Sequence, residues 1–315
     1  MNEAHRIAQL LSILGSSAPG VRLGIGDDAA VFDAAPEPLV WSIDAAVEGV
    51  HFDRRWLSPE DIGYRATMAA LSDLAAMGAK PLGVLAGLIL PRTFEDASLD
   101  DLARGQRRAA DALSTAVVGG NLSRGGELSI TTTVLGTSAR PMRRDGAKSG
   151  DGVWLSGAVG LSRVGLEGLV RGQPTTSEAL AAFRAPMARI AAGLEAALVA
   201  TAAIDVSDGL ALDAARVAEA SDVALVLEPR SFVDETLQRA ARSIGMDGLE
   251  VALHGGEDYA LLVTAPPGEH PGAAFRLIGR VEERAAGQRP SGARVFLAAA
   301  GGDIPLPPRG FDHFA

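Results

Sequence analysis

The chain has 315 residues, a net charge of −10, 47% hydrophobic and 22% charged residues, and no cysteine. This composition is typical of a globular protein and excludes disorder as the main state, while the length predicts two domains at roughly 150 residues each. The acidic balance excludes nucleic acid as a default partner. The lack of cysteine excludes disulfides, zinc–thiolate sites and thiol nucleophiles, and it favours the reducing cytoplasm as the location.

The N-terminal half predicts alternating helices and strands. Its first residues have the apolar spacing of an amphipathic helix, and Ser58-Pro59-Glu60-Asp61 is typical of a helix start. The apolar run at 82–90 is too short for a helix that spans a bilayer, so we expect no membrane association. The predicted elements after the first helix are strands at 21–25, 29–33 and 38–44, a helix from 58 to about 77, a strand at 82–90, a helix at 98–114, and strands at 117–119 and 128–135.

The C-terminal half repeats this alternation, which predicts an α/β fold. Residues 140–152 are polar and rich in glycine, so we place a domain boundary there, between 1–139 and 140–315. The predicted elements are a strand at 153–156, helices over about 160–200, a strand-turn-helix at 204–220, a strand at 223–227, a helix at 234–244, and strands at 259–263 and 277–281.

A glycine-rich turn near the N-terminus carries the first unusual acids. Residues 24–29 read Gly-Ile-Gly-Asp-Asp-Ala and match the GxGxxA pattern of dinucleotide sites. We reject that interpretation, because two adjacent aspartates would repel a pyrophosphate and the following residues are typical of a strand rather than a helix. Taken alone, Asp27 is better explained by a plain acidic turn.

Asp73 is the most informative single acid. On a helical wheel it lies within about 40° of Ala69 and Met77, on the apolar face of the helix at 58–77. The residues three and four positions away are all alanine or methionine, so no Lys or Arg can pair with Asp73 along the helix. We therefore predict that this carboxylate is protonated or bound to a cation, and we favour the cation.

Further acids lie at the ends of predicted strands. They are Asp44, which shares a strand face with Ser42, the turn Asp205-Val206-Ser207-Asp208, and Glu257 after Gly255-Gly256. Taken alone, each is also explained by a strand-end turn, an ordinary helix N-cap or a hairpin turn. Together with Asp27 and Asp73, they predict hard oxygen ligands for Mg²⁺ and a phosphoryl-transfer reaction.

Seven strings of the sequence resemble the thiamine-monophosphate kinase family, which belongs to the superfamily of aminoimidazole ribonucleotide synthetase. In chain order they are GIGDDAAVF, SIDAAVEGVHF, LSDLAAMGAKP, VGGNLSRG, DVSDGL, HGGEDYALL and GFDHF. The resemblance implies two α/β domains. The N-terminal domain, 1–139, would bind ATP and Mg²⁺ and pair its sheet with a second copy, so that a homodimer forms a barrel. The C-terminal α/β domain would be 140–315.

The resemblance also implies a role for each matching position. The ligands of several Mg²⁺ ions would be Asp27, Ser42, Asp44, Asp73, Asp205 and Asp208, of which Asp44, Asp73 and Asp208 would be catalytic. The contacts to ATP would be Gly120, Asn121, Arg144 and Ser207. The contacts to thiamine monophosphate would be His51, Glu257 and, packing on its ring system, Phe311.

Two positions depart from the family pattern. The family usually has Thr at the position of Ile43, and Asp at the position of Asn121. In the family both belong to one metal site. Because Asn offers a neutral oxygen in place of a charge, we expect that metal to be lost, weakened or held mostly by phosphates and Asp44.

The implied reaction is direct in-line transfer from ATP to thiamine monophosphate, giving thiamine diphosphate. The second pKa of the acceptor phosphate is about 6, so no general base is needed. Metals with Arg144 or Lys148 would screen the repulsion between phosphates. The alternatives are another superfamily enzyme, a non-catalytic or altered-substrate ATP-binding paralogue, and a globular protein with scattered surface acids. The absence of cysteine argues against the selenophosphate synthetase and hydrogenase-maturation relatives.

Overall fold

The structure, a computed structural model, describes residues 3–15, 20–25, 29–284 and 293–310. The chain divides into two compact units, each described by itself below. Unit 1 comprises Met1–Leu74 and Ala79–Ala139, and unit 2 comprises Ala75–Gly78 and Arg140–Ala315. Among the helices in the described ranges, none has both the length and the hydropathy needed to cross a bilayer.

Unit 1 holds three helices and six strands in its described residues. They are α1 (Glu3–Leu14), β1 (Val21–Leu23), β2 (Val31–Phe32), β3 (Leu39–Val47), α2 (Pro59–Ala76, whose last two residues fall in unit 2), β4 (Lys80–Pro91), α3 (Asp96–Ala112), β5 (Val117–Gly125) and β6 (Ser129–Thr137). The larger sheet has the order β3-β6-β4-β5, in which β4 and β5 are parallel and the other neighbours antiparallel. This order makes β3 and β5 the edge strands.

The two faces of this sheet differ. On one face, Ile130 and Val134 are buried, and Leu74 of α2 lies against Gly136 of β6. On the other face, Trp41 is 72% and Ile43 is 65% exposed. The sheet is thus covered by helices on one side only.

Helices α2 and α3 approach each other closely. A Cβ atom on Gly105 of α3 would lie 1.9 Å from the carbonyl oxygen of Glu60 in α2, so only glycine fits there. The predicted start of α2 is confirmed: the Ser58 hydroxyl accepts the Asp61 N–H at 3.1 Å and donates to the Asp61 carboxylate at 2.9 Å.

Unit 2 is built on a second sheet. Its elements are β7 (Gly152–Ser156), α4 (Leu161–Arg171), α5 (Ser177–Arg184), α6 (Ile190–Ala196), β8 (Ala202–Val206), α7 (Leu210–Ala220), β9 (Val223–Leu227), α8 (Pro229–Phe232), α9 (Glu235–Ser243), α10 (Gly248–His254), β10 (Ala260–Ala265), β11 (Phe275–Glu283), β12 (Val295–Leu297) and β13 (Ile304–Pro305). Within the described residues, the sheet order is β13-β12-β9-β11-β7-β10-β8.

The carboxyl ends of β7 and β8 lie at the same edge of this sheet. Both strands pair antiparallel with β10 and are therefore parallel to each other. The start of β10 is at that edge too, because Ala260 is in register with Val206. The loops that follow β7 and β8 and the loop that precedes β10 are thereby brought together.

Several elements differ from those predicted, including α8, β12 and β13, for which no element was predicted. Helix α3 begins at Asp96 with Glu95 at its N-cap, so the helix start predicted at residue 98 is wrong. Strand β5 continues to Gly125 instead of ending at residue 119, because its whole length pairs with β4. Helix α10 was not predicted. It places His254 at a helix end rather than in a hairpin turn.

Candidate active site

Strand β3 presents Ser42 and Asp44 on one face. Their partners in β6 are Val134 and Thr132, which are buried on the helix-covered side of the sheet. Ile43 points to the opposite, exposed face, because successive side chains of a strand alternate. The predicted sharing of one face by Ser42 and Asp44 is confirmed.

Asp73 of α2 lies beside this strand. The Ser42 hydroxyl donates to the Asp73 carboxylate at 2.5 Å. From the sequence, Asp73 was predicted to be protonated or bound to a cation, because the residues along its own helix include no partner for it. The structure adds a hydroxyl from a strand 31 residues away in sequence, so Ser42 and Asp73 form a polar pair on the sheet face that also carries Asp44.

His51 lies in the tight turn after β3. The Nδ1 atom of its ring accepts the main-chain N–H of Val47 at 3.1 Å. The main-chain N–H of His51 donates to the Val47 carbonyl at 2.9 Å. Gly49 has a φ of 83°, which the turn requires and side chains disfavour. Because Nδ1 is an acceptor, the neutral ring carries its proton on Nε2.

Gly120 and Asn121 lie within β5 rather than in a loop. They are in register with Ala86 and Gly87 of β4. A Cβ atom on Gly120 would lie 2.0 Å from the Ala86 carbonyl oxygen, which explains glycine at that position. Glycine here serves the close approach of two strands, which is a different requirement from binding a phosphate.

Ile43 and Asn121 are not brought together within one chain. Ile43 is on β3 and Asn121 on β5, at opposite edges of the sheet. With two strands between them, they are roughly 14 Å apart at about 4.8 Å per strand. Their membership of one metal site, implied by the resemblance, is therefore not reproduced inside this unit.

In unit 2, Asp205, Ser207 and Asp208 lie at the carboxyl end of β8. Asp205 is 6% exposed and in register with Leu261 of β10. The chain then enters α7 through Gly209, whose φ of 120° is one that other residues rarely adopt. The sequence predicted this strand-turn-helix, and it is confirmed.

Asp213, which sequence reasoning missed, fixes the Ser207–Asp208 turn. One of its carboxylate oxygens accepts the N–H groups of Ser207 at 3.0 Å and Asp208 at 3.1 Å. Arg216 donates to Asp213 at 2.6 Å and to Asp208 at 2.7 Å. Burial raises the pKa of Asp213 to about 6, against the opposing effect of Arg216. The available signal was its spacing, since Asp213 is four residues after Gly209 on the buried face of α7.

The glycine-rich loop before β10 joins this turn. The N–H of Glu257 donates to the Ser207 carbonyl at 2.7 Å, and the N–H of Tyr259 donates to the Val206 carbonyl at 2.9 Å. Gly256 has a φ of 71°, and a Cβ there would lie 2.8 Å from the same Ser207 oxygen. The structure thus brings Glu257 next to Ser207.

Asp258 anchors the same loop to the start of α4. Its carboxylate accepts the N–H groups of Gly160 at 2.7 Å and Ser162 at 3.3 Å. Burial raises the pKa of Asp258 to about 7, although both N–H donors oppose the rise, and the neighbouring Glu257 adds to it. No sequence pattern indicated this role.

The main chain of Arg144 lies away from Ser207. The carbonyl of Arg143 accepts the N–H of Ala203, near the start of β8, at 2.8 Å. The carbonyl of Arg144 accepts the hydroxyl of Ser221, after the end of α7, at 2.8 Å. Ser207 follows the other end of β8. The common ATP contact implied for Arg144 and Ser207 stays a prediction.

The metal predictions concern oxygen donors that the two units hold separately. Unit 1 holds Ser42, Asp44 and Asp73, and unit 2 holds Asp205 and Asp208. Among the described residues, no group of three or more His, Cys, Asp or Glu is close enough to hold a metal ion by itself. Few carboxylates with hydroxyl, water and phosphate oxygens are what Mg²⁺ requires, so the donor set fits that ion. Two predicted site residues, Asp27 and Phe311, lie outside the described residues.

A known protein family matches most of unit 1. The family described as AIR synthase related protein, N-terminal domain, matches residues 26–138. A solved structure of the hydrogenase maturation protein HypE in complex with ATP has a TM-score of 0.78 at 19% identity, covering 99% of this chain and 96% of its own, and shows a shared fold alone. The predicted α/β fold of this superfamily is confirmed. The dimeric barrel stays a prediction.

Closer relatives define the family. Thiamine-monophosphate kinase of Aquifex aeolicus (strain VF5) is 34% identical over 296 residues, which cover 92% of this chain and 92% of that protein. The structure described as AaThiL complexed with AMPPCP and TMP has a TM-score of 0.80 at 32% identity, covering 99% of this chain and 97% of its own. The chain belongs to the thiamine-monophosphate kinase family.

Proposed function

We propose that this chain transfers a phosphoryl group from ATP to thiamine monophosphate, giving thiamine diphosphate and ADP. The observation that carries the proposal is its 34% identity to a thiamine-monophosphate kinase over 92% of this chain. The site geometry supports it, because the Glu257 N–H donates to the Ser207 carbonyl and the Asp213 carboxylate accepts the N–H groups of Ser207 and Asp208, all at one edge of a sheet. Such an edge is where α/β proteins bind their ligands.

The chemistry requires positioning more than proton transfer. The acceptor is a phosphate with a second pKa of about 6, so it is ionised at neutral pH and needs no general base. What the protein must supply is alignment and positive charge between two anionic groups. Arg144 and Lys148 are exposed on the polar loop and have the charge for this task.

Bound Mg²⁺ would neutralise phosphate oxygens during the transfer. The residues proposed to hold it are Asp27, Ser42, Asp44, Asp73, Asp205 and Asp208. Within this set, Ser42 orients the Asp73 carboxylate through its hydroxyl. Arg216 holds one oxygen of Asp208, and this contact orients the other. Asn121 would offer an amide oxygen where the family usually has a carboxylate. We therefore propose that a Mg²⁺ ion beside Asn121 is bound more weakly than in the family.

The proposed substrate contacts are those that the family resemblance implies. We propose that Gly120, Asn121, Arg144 and Ser207 contact ATP, and that His51, Glu257 and Phe311 contact thiamine monophosphate. His51 is suited to this role because its Nδ1 accepts a main-chain N–H, which makes Nε2 the donor atom of the neutral ring.

A direct assay is ADP release with ATP, Mg²⁺ and one of three acceptors: thiamine monophosphate, thiamine or inorganic phosphate. Of the three acceptors, we expect only thiamine monophosphate to give ADP. We expect no ADP from an Asp73→Asn variant with any of them. If the wild type binds ATP without turnover while Asn121→Asp turns over, the chain is a non-catalytic paralogue disabled at one metal. ADP formation with another acceptor alone would contradict the substrate assignment.

We also propose that the chain forms a homodimer through the exposed face of the unit 1 sheet. Leu39, Trp41 and Ile43 of β3 are 62%, 72% and 65% exposed, and Leu85 and Ile89 of β4 lie on the same face. Exposed apolar side chains on the two strands that flank β6 are typical of a protein–protein interface. A second copy is the partner that the family resemblance implies.

A further inference from the structure

The Asp213 carboxylate occupies an unusual place at the start of α7. It is fully buried and lies in the first turn of the helix, yet its hydrogen bonds run backwards to the N–H groups of Ser207 and Asp208. A helix N-cap usually works in the other direction, because the side chain before the helix accepts N–H groups inside it. Here the N-cap is Gly209, which has no side chain to do so.

Both oxygens of Asp213 are engaged. Oδ2 accepts the two main-chain N–H groups, and Oδ1 accepts Nη1 of Arg216 at 2.6 Å. The same Nη1 atom lies 2.7 Å from Oδ2 of Asp208. The main chain of the turn and the side chain of Asp208 are thus held by one buried group and its arginine.

The contacts extend to the neighbouring loop. The carbonyl of Ser207 accepts the N–H of Glu257 at 2.7 Å. A rotation of the Ser207–Asp208 peptide would therefore move three side chains of the proposed site: Ser207, Asp208 and Glu257. A buried carboxylate is costly unless fully hydrogen-bonded, so its presence here indicates a demand on the geometry of this turn.

We propose that Asp213 is a positioning residue. With Arg216, it holds the Ser207–Asp208 turn in the conformation that presents Ser207 to the nucleotide and Asp208 to its phosphates. This inference rests on the proposed function for the identity of the ligand. The fixed geometry of the turn is a separate claim that can be measured without turnover.

The test uses Asp213→Ala and Asp213→Asn in the full-length protein. Hydrogen exchange resolved to single amides should accelerate at least about tenfold at Ser207 and Asp208 in Asp213→Ala. Well below the unfolding temperature, the Kd for ATP should rise and kcat should fall, each about tenfold or more. Asp213→Asn keeps one oxygen for the two N–H groups but loses the ion pair, so we expect protected amides and intermediate kinetics.

The control is Asp234→Ala. Asp234 caps α9 by accepting the Leu237 N–H at 2.8 Å, so its loss should lower the melting temperature and release the Leu237 amide while ATP affinity and kcat stay unchanged. If Asp213→Ala keeps both amides protected, or binds ATP as tightly as the wild type, the proposal is overturned. Should the wild type fail to phosphorylate thiamine monophosphate, the proposed function fails, and the exchange and ATP-binding results still decide the role of Asp213.

Discussion

The Asp73 carboxylate accepts a hydrogen bond from a hydroxyl of another element. Within α2 its neighbours are apolar, and the donor comes from Ser42 of β3 at 2.5 Å. A hydroxyl that donates to a carboxylate fixes its orientation. A fixed orientation suits a group that is proposed to bind Mg²⁺.

Removing that hydroxyl gives the first prediction. In Ser42→Ala, the Asp73 carboxylate loses its orienting donor, so we expect the Mg²⁺ concentration for half-maximal activity to rise about tenfold or more, since a hydrogen bond to a charged group is worth roughly 1.5–3 kcal/mol. The measurement is initial rate against Mg²⁺. The control is Ser177→Ala, which removes an exposed hydroxyl–carboxylate contact of 3.1 Å in unit 2. Equal Mg²⁺ dependence in all three proteins would contradict the proposed role of Ser42.

Asp258 gives a prediction for pH. Its pKa is raised from 3.8 to about 7, so the folded protein binds this proton more tightly than the unfolded chain does. The free energy of unfolding therefore falls as pH rises through the range between these two values. Asp258→Asn should lose less stability than the wild type between pH 5 and about pH 7.5 in urea unfolding. A wild-type loss no larger than that of the variant would rule out this assignment.

At this scale the sequence indicated which acids were unusual but not what held them. Asp73 was identifiable from its apolar helical neighbours alone. Its partner Ser42 was not, because a contact between a helix and a distant strand depends on the tertiary fold. Asp213 and Asp258 were missed for a related reason. Their carboxylates accept main-chain N–H groups, and no pattern of side chains in the sequence indicates such contacts.

Among the elements, β5 shows how pairing overrides local preference. Gly119-Gly120-Asn121 has low strand propensity, and the sequence therefore predicted a strand that ended at residue 119. The structure continues it to Gly125 because β4 provides a hydrogen-bonding partner along its length. Glycine is needed at position 120 because the Ala86 carbonyl lies so close.

Substitution at this glycine tests the close approach of the two strands. In Gly120→Ala, the new Cβ would lie 2.0 Å from the Ala86 oxygen, so β4 and β5 must separate. We expect the free energy of unfolding to fall by about 1–3 kcal/mol. Gly126→Ala is the matched control, since a Cβ there has no neighbour within 4 Å in the described structure, and its effect should stay within about 0.5 kcal/mol. Similar stability of both variants would show that β5 does not approach β4 so closely.

The helices were predicted with mixed success, for physical reasons. The start of α2 was readable because Ser58, Pro59 and Asp61 act locally. The start of α3 was not, since Glu95 precedes the helix without a side-chain cap and the start predicted at residue 98 lies inside the helix. Helix α10 is seven residues long, too short for periodicity to distinguish it from a turn.

For the whole molecule, the exposed sheet face of unit 1 predicts association. We expect the wild type to have twice the mass of one chain by light scattering, and Trp41→Glu to have the mass of one, because a charge would enter the apolar contact. Leu198→Glu is the control, since Leu198 is also 72% exposed but belongs to unit 2. A monomeric wild type, or dimers in both variants, would contradict this interface.

The alternation of strands and helices was sufficient to predict an α/β fold, and the ordered strings along the chain indicated its family. The sequence could not predict the order of the strands in each sheet. This order matters for the metal sites, because it decides which side chains lie close together. Ile43 and Asn121 lie on opposite edge strands of one sheet, so their common site in the family is not formed inside this unit.

The central claim is tested most directly by ³¹P NMR of the purified protein with ATP, Mg²⁺ and thiamine monophosphate. The account predicts that the signals of thiamine diphosphate and ADP grow together in the wild type and are absent in Asp73→Asn. ATP that stays intact in the wild type and in Asn121→Asp, or is split without formation of thiamine diphosphate, would contradict it.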